Sequence, residues 1–316
     1  MTDRIKLGIS SCLLGEPVRY DGGHKLDRYL KDTLGHYFEY VPVCPEVECG
    51  LGTPRESMHL EGEPGELRLI TSRTRIDLTG RMLSWAERRA RELESEKLHG
   101  FIFKSNSPSS GMERVKVIDA KGMPRKTGVG LFAGVFINHF PLLPVEEEGR
   151  LHDPGLRENF IERIFALKRW RETVEQGRKT SLLIAFHSRH KLQMMAHCPR
   201  CATEMGRLVA RASEMPSDAL FEGYEKMLLE GLRLKATVKK NTNVLQHIMG
   251  YFKHQLTADE KLELLEAIER YYKEYLPLVV PLALLKHYVR KYDQTYLKEQ
   301  SYLDPHPVEL QLRNHV

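Results

Sequence analysis

Apolar and polar positions along the first 140 residues form blocks that predict strands and helices in turn. Three short apolar runs have the length and composition of buried strands: residues 5–10, 39–43 and 100–104. Three longer segments repeat apolar residues at helical spacing: 23–34, 83–98 and 129–140. Strands that alternate with helices predict a parallel sheet. Residues 57–60 and 66–71, separated by EGEPG, predict an additional β-hairpin.

The second half of the chain has a different pattern. Residues 141–156, PLLPVEEEGRLHDPGL, are rich in proline and acidic residues and predict a linker. Beyond it, apolar residues recur at helical spacing in seven segments: 156–175, 181–197, 201–214, 218–236, 238–255, 258–272 and 281–298. Thr257, just before two acidic residues, is the expected N-cap of the sixth. We therefore expect an N-terminal parallel-sheet α/β domain (1–140), a linker (141–156) and an all-α domain (157–316).

Composition narrows the class of protein. The apolar run near residues 276–285 is interrupted by Pro277 and Pro281, and the N-terminus lacks the apolar region of a signal peptide. We expect a cytoplasmic protein with no membrane contact and no obligate protein partner.

Five cysteines in 316 residues argue against a disulfide framework and leave metal, cluster or nucleophile roles open. From residue 179 onward, 20 basic residues face 16 acidic ones, against 28 and 27 before it, which fits a polyanion partner.

The residues with chemical potential follow the three predicted strands. Cys12 lies in SSCLLGEPVRYDG, Cys44 lies in VPVCPEVECGLGTPRE, and a Ser-Pro-Ser-Ser run lies in FKSNSPSSG. Because ligands bind beyond the carboxyl ends of parallel strands, these segments are expected to converge on one site. Two neighbouring thiolates indicate a soft metal or an iron–sulfur cluster. Their spacing alone leaves open which of the two it is.

These three segments, in this order, resemble the signatures of the thiouracil desulfidase family. The helical half resembles the YbgA-type domain that is fused to them in the tRNA 4-thiouridine desulfidases. The resemblance implies a non-redox desulfidase with a 4Fe–4S cluster held by three cysteines, whose fourth iron is open to the sulfur of a thiocarbonyl. It assigns Cys12 and Cys44 as the first two ligands, and Glu46 and Ser107 to proton handling. A base such as Glu46 would take a proton from the attacking water.

The third ligand departs from the family pattern, because Ser110 stands where the family has a cysteine. A hydroxyl is a poorer ligand for iron than a thiolate, so the 4Fe–4S cluster is expected to be absent or labile. Three explanations stay open. The chain carries an inactivating Cys→Ser change, Ser110 is a natural weak ligand, or Cys49 replaces it.

The substrates implied are tRNA and a thiolated pyrimidine, in tRNA or free. Eight basic residues are candidates for contact with the RNA backbone: Arg19, Lys104, Arg114, Lys116, Arg189, Lys191, Lys239 and Lys240. Solvated helix faces and loop salt bridges would give a similar pattern.

Two rival functions come from other classes. The first is a non-catalytic RNA-binding protein whose cluster site is degenerate. The second is a zinc-stabilised regulator, because five potential ligands lie within fifteen residues: His187, His190, His197, Cys198 and Cys201.

Overall fold

The computed structural model describes residues 4–63 and 65–315, which divide into two units between His152 and Asp153. The first unit contains eight strands: β1 (Ile5–Ser10), β2 (Phe38–Val43), β3 (Met58–Glu61), β4 (Arg68–Thr71), β5 (Phe101–Phe103), β6 (Val115–Ile118), β7 (Pro124–Gly128) and β8 (Val145–Glu147). It also contains three α-helices: α1 (Pro45–Glu48), α2 (Thr79–Glu94) and α3 (Leu131–His139).

Four of these strands form a parallel sheet in the order β2-β1-β5-β8. The three strands predicted from the apolar runs are confirmed, and so is the parallel sheet. Its fourth strand, β8, comes from the segment that the sequence sets apart as a linker. Val145 pairs with Phe101 there, and the acidic Glu146 and Glu147 are both buried. Buried carboxylates with local partners let an acidic segment enter a sheet.

A second sheet has the order β4-β3-β6-β7. The predicted hairpin is confirmed, since β3 and β4 pair antiparallel; Pro64 in its turn lies outside the described residues. The sequence does not predict β6 and β7. In β6 only Val115 and Val117 are buried, so its alternation is too short to distinguish a strand from a loop.

The predicted helix over residues 23–34 is wrong. One π-helical turn over Tyr29–Thr33 and one 3-10 turn over Leu34–His36 replace it. The backbone N–H of Lys25 donates to the carbonyl of Cys12, and that of Asp27 to the carbonyl of Leu13, both at 2.9 Å. These non-local hydrogen bonds hold the segment along the loop after β1, although its apolar residues have helical spacing.

The second unit is helical, as predicted. Its helices are α4 (Pro154–Glu175), α5 (Thr180–His197), α6 (Pro199–Ala210), α7 (Ser217–Leu232), α8 (Val238–Gly250), α9 (Ala258–Tyr272), α10 (Val279–Lys291) and α11 (Thr295–Lys298). The predicted N-cap is confirmed, because Thr257 and Glu260 form a reciprocal capping box at the start of α9. The segment predicted as one helix over 281–298 is two, α10 and α11. Asp293 between them has a φ of 50°, which a continuous right-handed helix does not allow.

One apolar cluster of the second unit lies between α5, α8, α9 and α10, and the buried faces of α4 and α7 add further apolar residues. Within the described ranges, none of the helices combines the length and the apolar character that crossing a membrane requires.

Candidate active site

A cavity of about 400 Å³ lies at the carboxyl ends of the parallel strands. Cys12 borders it after β1, Cys44 after β2, and the segment from Lys104 to Ser110 after β5. The structure therefore brings together the three segments that the sequence singles out. The arrangement follows from the parallel sheet, since all its strands end at the same edge.

The two thiols are largely shielded from solvent. Burial raises the pKa of the Cys12 thiol to about 11. It raises the pKa of Cys44 to about 12, and the neighbouring Glu46 carboxylate acts in the same direction. Buried thiols of this kind are protonated unless a metal cation stabilises the thiolate.

Two of the three ligand positions expected for an iron–sulfur cluster are occupied by cysteines. Cys12 and Cys44 supply sulfur, and Ser110, which is buried, supplies a hydroxyl at the third position. Within the described residues, Cys49 is not part of the cavity lining; its thiol donates to the carbonyl of Glu46 at 3.3 Å. Cys49 would have to leave that contact to become a ligand, so the geometry favours position 110 over position 49 as the third corner.

Glu46 lies in the first turn of helix α1 and lines the cavity, whereas Glu48 of the same helix binds back to its N-cap residue. A carboxylate oxygen of Glu48 accepts from the backbone N–H of Cys44 at 2.8 Å. Glu46 Oε2 lies 3.6 Å from Cys44 Sγ and 3.8 Å from Arg55 Nη2, with its side chain only 13% exposed. A partly desolvated carboxylate beside a candidate ligand and a cation is placed for proton transfer in the cavity.

A hydrogen-bonded pair of serines connects Glu46 to the cavity wall. Ser109 Oγ donates to Glu46 Oε1 at 2.6 Å and lies 3.0 Å from Ser107 Oγ. Ser107 lines the cavity, and its hydroxyl also accepts from the backbone N–H of Ser110 at 3.1 Å. The sequence reasoning selected Ser107 and missed Ser109, the direct partner of Glu46. Ser109 is fully buried, and its position beside Ser110 was the only signal available in the sequence.

The serine segment is packed tightly against the start of helix α3. A Cβ at Gly130 would lie 2.5 Å from the carbonyl carbon of Ser109, so only glycine allows this approach. The backbone N–H groups of Leu131 and Ala133 donate to the carbonyls of Pro108 and Ser109. The serine turn therefore accepts hydrogen bonds from backbone N–H groups at the start of α3.

The cations proposed for RNA contact differ in how far they are already paired. In the first unit, Lys104 Nζ is 2.5 Å from Glu148 Oε1, and Arg19 Nε is 3.5 Å from Asp21. Arg114 and Lys116 are exposed. Arg114 lies in the turn before β6 with a φ of 53°, and Lys116 lies in β6.

The second unit divides in the same way. Arg189 Nε lies 3.3 Å from Glu299, and Lys240 Nζ donates to the carbonyls of His197 and Lys235 at 2.7 and 3.0 Å. Lys191 on α5 and Lys239 on α8 are exposed.

The zinc hypothesis for the second unit is wrong. Cys198 and Cys201 are joined by a disulfide, which the cysteine count did not predict. His197 Nε2 is 2.7 Å from Glu162, and its Nδ1 is 2.7 Å from the carbonyl of Leu234. His190 Nδ1 bonds to the carbonyl of Phe186. Across residues 4–63 and 65–315, no three His, Cys, Asp or Glu side chains form a group able to hold a metal ion.

Comparison with known proteins divides the chain at nearly the same place as the structure. Residues 7–148 match the family described as 2-thiouracil desulfurase. Residues 191–307 match a family described as a protein of unknown function, DUF1722.

Two individual proteins are similar to the chain. The uncharacterized protein YbgA of Escherichia coli (strain K12) is 31% identical over 153 residues, which are 48% of this chain and 90% of YbgA. A solved structure of the [4Fe-4S]-dependent thiouracil desulfidase TudS is 30% identical over 48% of this chain and 95% of its own, with a TM-score of 0.39.

Proposed function

Since the chain belongs to the family of YbgA and its first unit matches the 2-thiouracil desulfurase family, we propose that it is a 4Fe–4S-dependent desulfidase. Its proposed reaction is non-redox and replaces the sulfur of 4-thiouridine in tRNA, or of a free thiolated pyrimidine, by oxygen. One observation carries the proposal. Two thiols, a buried position 110 and the Glu46 carboxylate border a single cavity at the strand ends.

Cys12 and Cys44 are the residues that would hold the cluster, with position 110 as the third corner. When bound, the cluster supplies an iron that acts as a Lewis acid toward the substrate sulfur. A volume of about 400 Å³ is within the range of small-molecule sites and suits a pyrimidine base. In the chain as it stands, Ser110 offers oxygen in place of a thiolate, so we expect weak cluster retention.

Glu46 is the proposed general base. It takes a proton from the water that attacks the ring carbon. The carbon–sulfur bond then breaks and the sulfur leaves as hydrosulfide, so the substrate is neither oxidised nor reduced. Ser109 holds Glu46 Oε1 at 2.6 Å and fixes the direction of the carboxylate. Ser107, 3.0 Å from Ser109 at the cavity wall, completes a path by which the proton returns to the substrate ring. Arg55 Nη2 lies 3.8 Å from Glu46 Oε2, on the same side of the cavity.

The cluster assignment is tested by changing position 110. After anaerobic reconstitution, the Ser110→Cys protein should bind about four irons, as expected for a cubane cluster, and release sulfide from 4-thiouridine. The unchanged protein and a matched Ser110→Ala variant should retain little iron and release little sulfide. Cys49→Ala in the Ser110→Cys background should keep both properties. A stable, active cluster in the unchanged protein that disappears with Cys49→Ala would make Cys49 the third ligand.

The preference for tRNA rests on the exposed cations and on the basic surplus after residue 179. Lys191→Gln combined with Lys239→Gln should weaken tRNA binding and flatten its salt dependence, because each lost phosphate contact removes roughly one unit from the salt slope. In the Ser110→Cys background, turnover of free 4-thiouridine should stay unchanged by these two substitutions. Lys273→Gln is the matched control, since Lys273 is already paired with Glu269 at 2.7 Å. Unchanged tRNA affinity in the double variant would remove these two lysines from the proposal.

A non-catalytic RNA-binding protein is the rival function, and Ser110 is the observation that favours it. It predicts tRNA binding without sulfide release, even in a Ser110→Cys protein that has gained its iron.

A further inference from the structure

A disulfide occupies the corner between helices α5 and α6 in the second unit. The motif Cys198-Pro199-Arg200-Cys201 forms this corner, and the two Cα atoms are 5.2 Å apart. Cys198 is the N-cap of α6, a helix of 12 residues, with Pro199 at its first position. A pair of cysteines separated by two intervening residues at a helix N-terminus is an arrangement that lowers the pKa of a thiol.

The two sulfurs have different surroundings. Cys198 is 7% exposed, and its Sγ accepts a hydrogen bond from the backbone N–H of Cys201 at 3.1 Å. That amide and the positive end of the α6 dipole would stabilise negative charge on the sulfur of Cys198. Cys198 is therefore the better leaving group of the pair, because thiol–disulfide exchange is faster when the departing thiolate is stabilised.

Cys201 is the more exposed residue of the pair, since it is partly exposed whereas Cys198 is buried, so we assign its sulfur as the one attacked from outside. One side of it is covered by helix α7 at Gly231, where an added Cβ would lie 3.4 Å from Cys201 Sγ and 2.5 Å from the methyl of Met194. Glycine at position 231 thus lets α7 pack against the disulfide.

A cation contacts the residue that directly precedes the disulfide. Lys240 Nζ donates to the carbonyl of His197 at 2.7 Å, directly before Cys198. Arg200, within the motif, is exposed and paired with Glu204 at 2.7 Å. The Lys240 ammonium thus adds positive charge beside the residue that precedes Cys198, which favours the approach of an anionic nucleophile.

We propose that Cys198–Cys201 is a thiol–disulfide exchange site that reacts with small anionic sulfur nucleophiles, either organic thiolates or hydrosulfide. The nucleophile attacks Cys201 Sγ, a new sulfur–sulfur bond forms there, the disulfide breaks, and Cys198 leaves as a thiolate. With an organic thiolate, a second thiolate releases the first as its own disulfide; two electrons pass to the protein, and Cys198 and Cys201 become a dithiol. With hydrosulfide, the first step leaves a persulfide on Cys201. The hydrosulfide source rests on the proposed function, which would produce hydrosulfide.

The test uses the full chain under anaerobic conditions, without iron and without any thiolated substrate. The folded protein is treated with glutathione or sodium hydrosulfide, quenched in acid, denatured, alkylated and mapped by mass spectrometry. Before treatment, three cysteines should be alkylated, namely Cys12, Cys44 and Cys49. Excess glutathione should raise the number to five, with a transient glutathione adduct on Cys201. Hydrosulfide should add one sulfur atom to Cys201. If glutathione reacts and hydrosulfide does not, the physiological nucleophile is an organic thiolate.

Two variants test the direction of attack. When the reduced Cys198→Ser protein is mixed with glutathione disulfide, the adduct should accumulate on Cys201, because no second thiol removes it. In the reduced Cys201→Ser protein, the buried Cys198 should react with glutathione disulfide at least tenfold more slowly than Cys201 does in Cys198→Ser. The partly buried Cys49 of the same sample serves as the internal reference for thiol reactivity.

Three outcomes would overturn the proposal. The pair opens only after denaturation, the adduct forms on Cys198, or all five cysteines are alkylated before any reductant is added. The mapping of the wild-type adduct stands even if a serine variant fails to fold. Because no step involves the cluster or a thiolated base, failure here is distinguishable from failure of the proposed desulfidase.

Discussion

The two units both bury charged and polar side chains, but they do so in opposite ways. In the first unit, Cys12, Cys44 and Glu46 border an open cavity of about 400 Å³. In the second unit, Glu162 is 3% exposed and lies between His197 Nε2 at 2.7 Å and Arg313 Nη2 at 2.6 Å. The first set borders enough space for a ligand, whereas the second set borders a cavity of only about 110 Å³ and its charged groups are paired with one another.

The partners in the second unit extend the contrast. Arg313 also binds Glu158 at 3.2 Å and the carbonyl of Tyr302 at 2.7 Å. Burial and the nearby Glu162 raise the pKa of Glu158 to about 8. The Arg313 and His197 contacts hold the pKa of Glu162 well below its usual range in spite of complete burial. Arg313 therefore keeps Glu162 ionised, whereas the pKa of Glu158, which shares the same arginine, is raised.

Burial of a charged group therefore does not by itself identify a functional site. The two regions differ in the space beside their polar atoms, about 400 Å³ against about 110 Å³, and in how far those atoms are paired with one another. Removing a cavity residue should affect chemistry more than folding, and removing a network residue should do the reverse.

The largest expected effect is at Glu46. In the Ser110→Cys background, Glu46→Gln keeps the size of the side chain but removes the base, so turnover of 4-thiouridine should fall by about two to four orders of magnitude. Iron content and cluster absorbance should be retained. Glu48→Gln is the matched control, because Glu48 caps Cys44 and does not line the cavity. Full activity in Glu46→Gln would exclude it as the base, and loss of iron would make it a structural residue.

The next effect concerns stability in the second unit. Arg313→Met leaves Glu162 buried without its main cation and should lower the free energy of unfolding by about 3–5 kcal/mol, the usual cost of breaking a buried ion pair. In a Trp85→Phe background, the remaining Trp170 reports on the second unit during urea unfolding. Cluster binding by the first unit should be unchanged. A loss below about 1 kcal/mol, typical of exposed pairs, would show that water already reaches the network.

A smaller effect is the pH dependence that His190 confers. Burial, with Arg169 and Arg189 nearby, lowers the pKa of His190 to about 3, and its Nδ1 donates to the carbonyl of Phe186 at 2.8 Å. The unfolded chain binds this proton below pH 6.5 and the folded chain does not, so stability present at pH 7 is lost as pH falls. Between pH 7 and pH 5 the loss from this group is about 2 kcal/mol.

His190→Asn provides the test, because asparagine keeps a donor and does not titrate. Urea midpoints of the second unit, read from Trp170 at pH 7 and pH 5, should differ less in the variant than in the wild type. An equal difference in both proteins would mean that His190 is protonated in the folded chain and that its burial is incomplete.

The smallest effect compares two lysines of the first unit. Lys104 is held by Glu148 at 2.5 Å, whereas Lys116 is exposed in β6. Lys116→Gln should lower the salt slope of tRNA binding by roughly one, and Lys104→Gln should leave it unchanged. Fluorescence anisotropy with labelled tRNA at several salt concentrations separates the two. A larger change in the salt slope for Lys104→Gln than for Lys116→Gln would mean that the Lys104 ammonium contacts the RNA, and that RNA competes with Glu148 for it.

Local sequence patterns determined much of this protein. The apolar runs specify the three strands that carry Cys12, Cys44 and the serine segment, and helical spacing specifies most of the second unit. The capping box at Thr257 was readable because all its partners lie within four residues. These features depend on neighbours in sequence, and such preferences are present before the chain is folded.

Only the tertiary structure decided the remaining features, because they depend on partners that are distant in sequence. Hydrogen bonds to the loop after β1 replaced a helix over residues 23–34, and pairing with β5 turned an acidic segment into strand β8. The choice of Ser109 as the partner of Glu46 joins positions 63 residues apart. Residues 198 and 201 are close in sequence, but whether they bind a metal or each other depended on His197, which Glu162 and the carbonyl of Leu234 had already engaged. A periodicity records which residues are buried, and it does not record which buried groups meet.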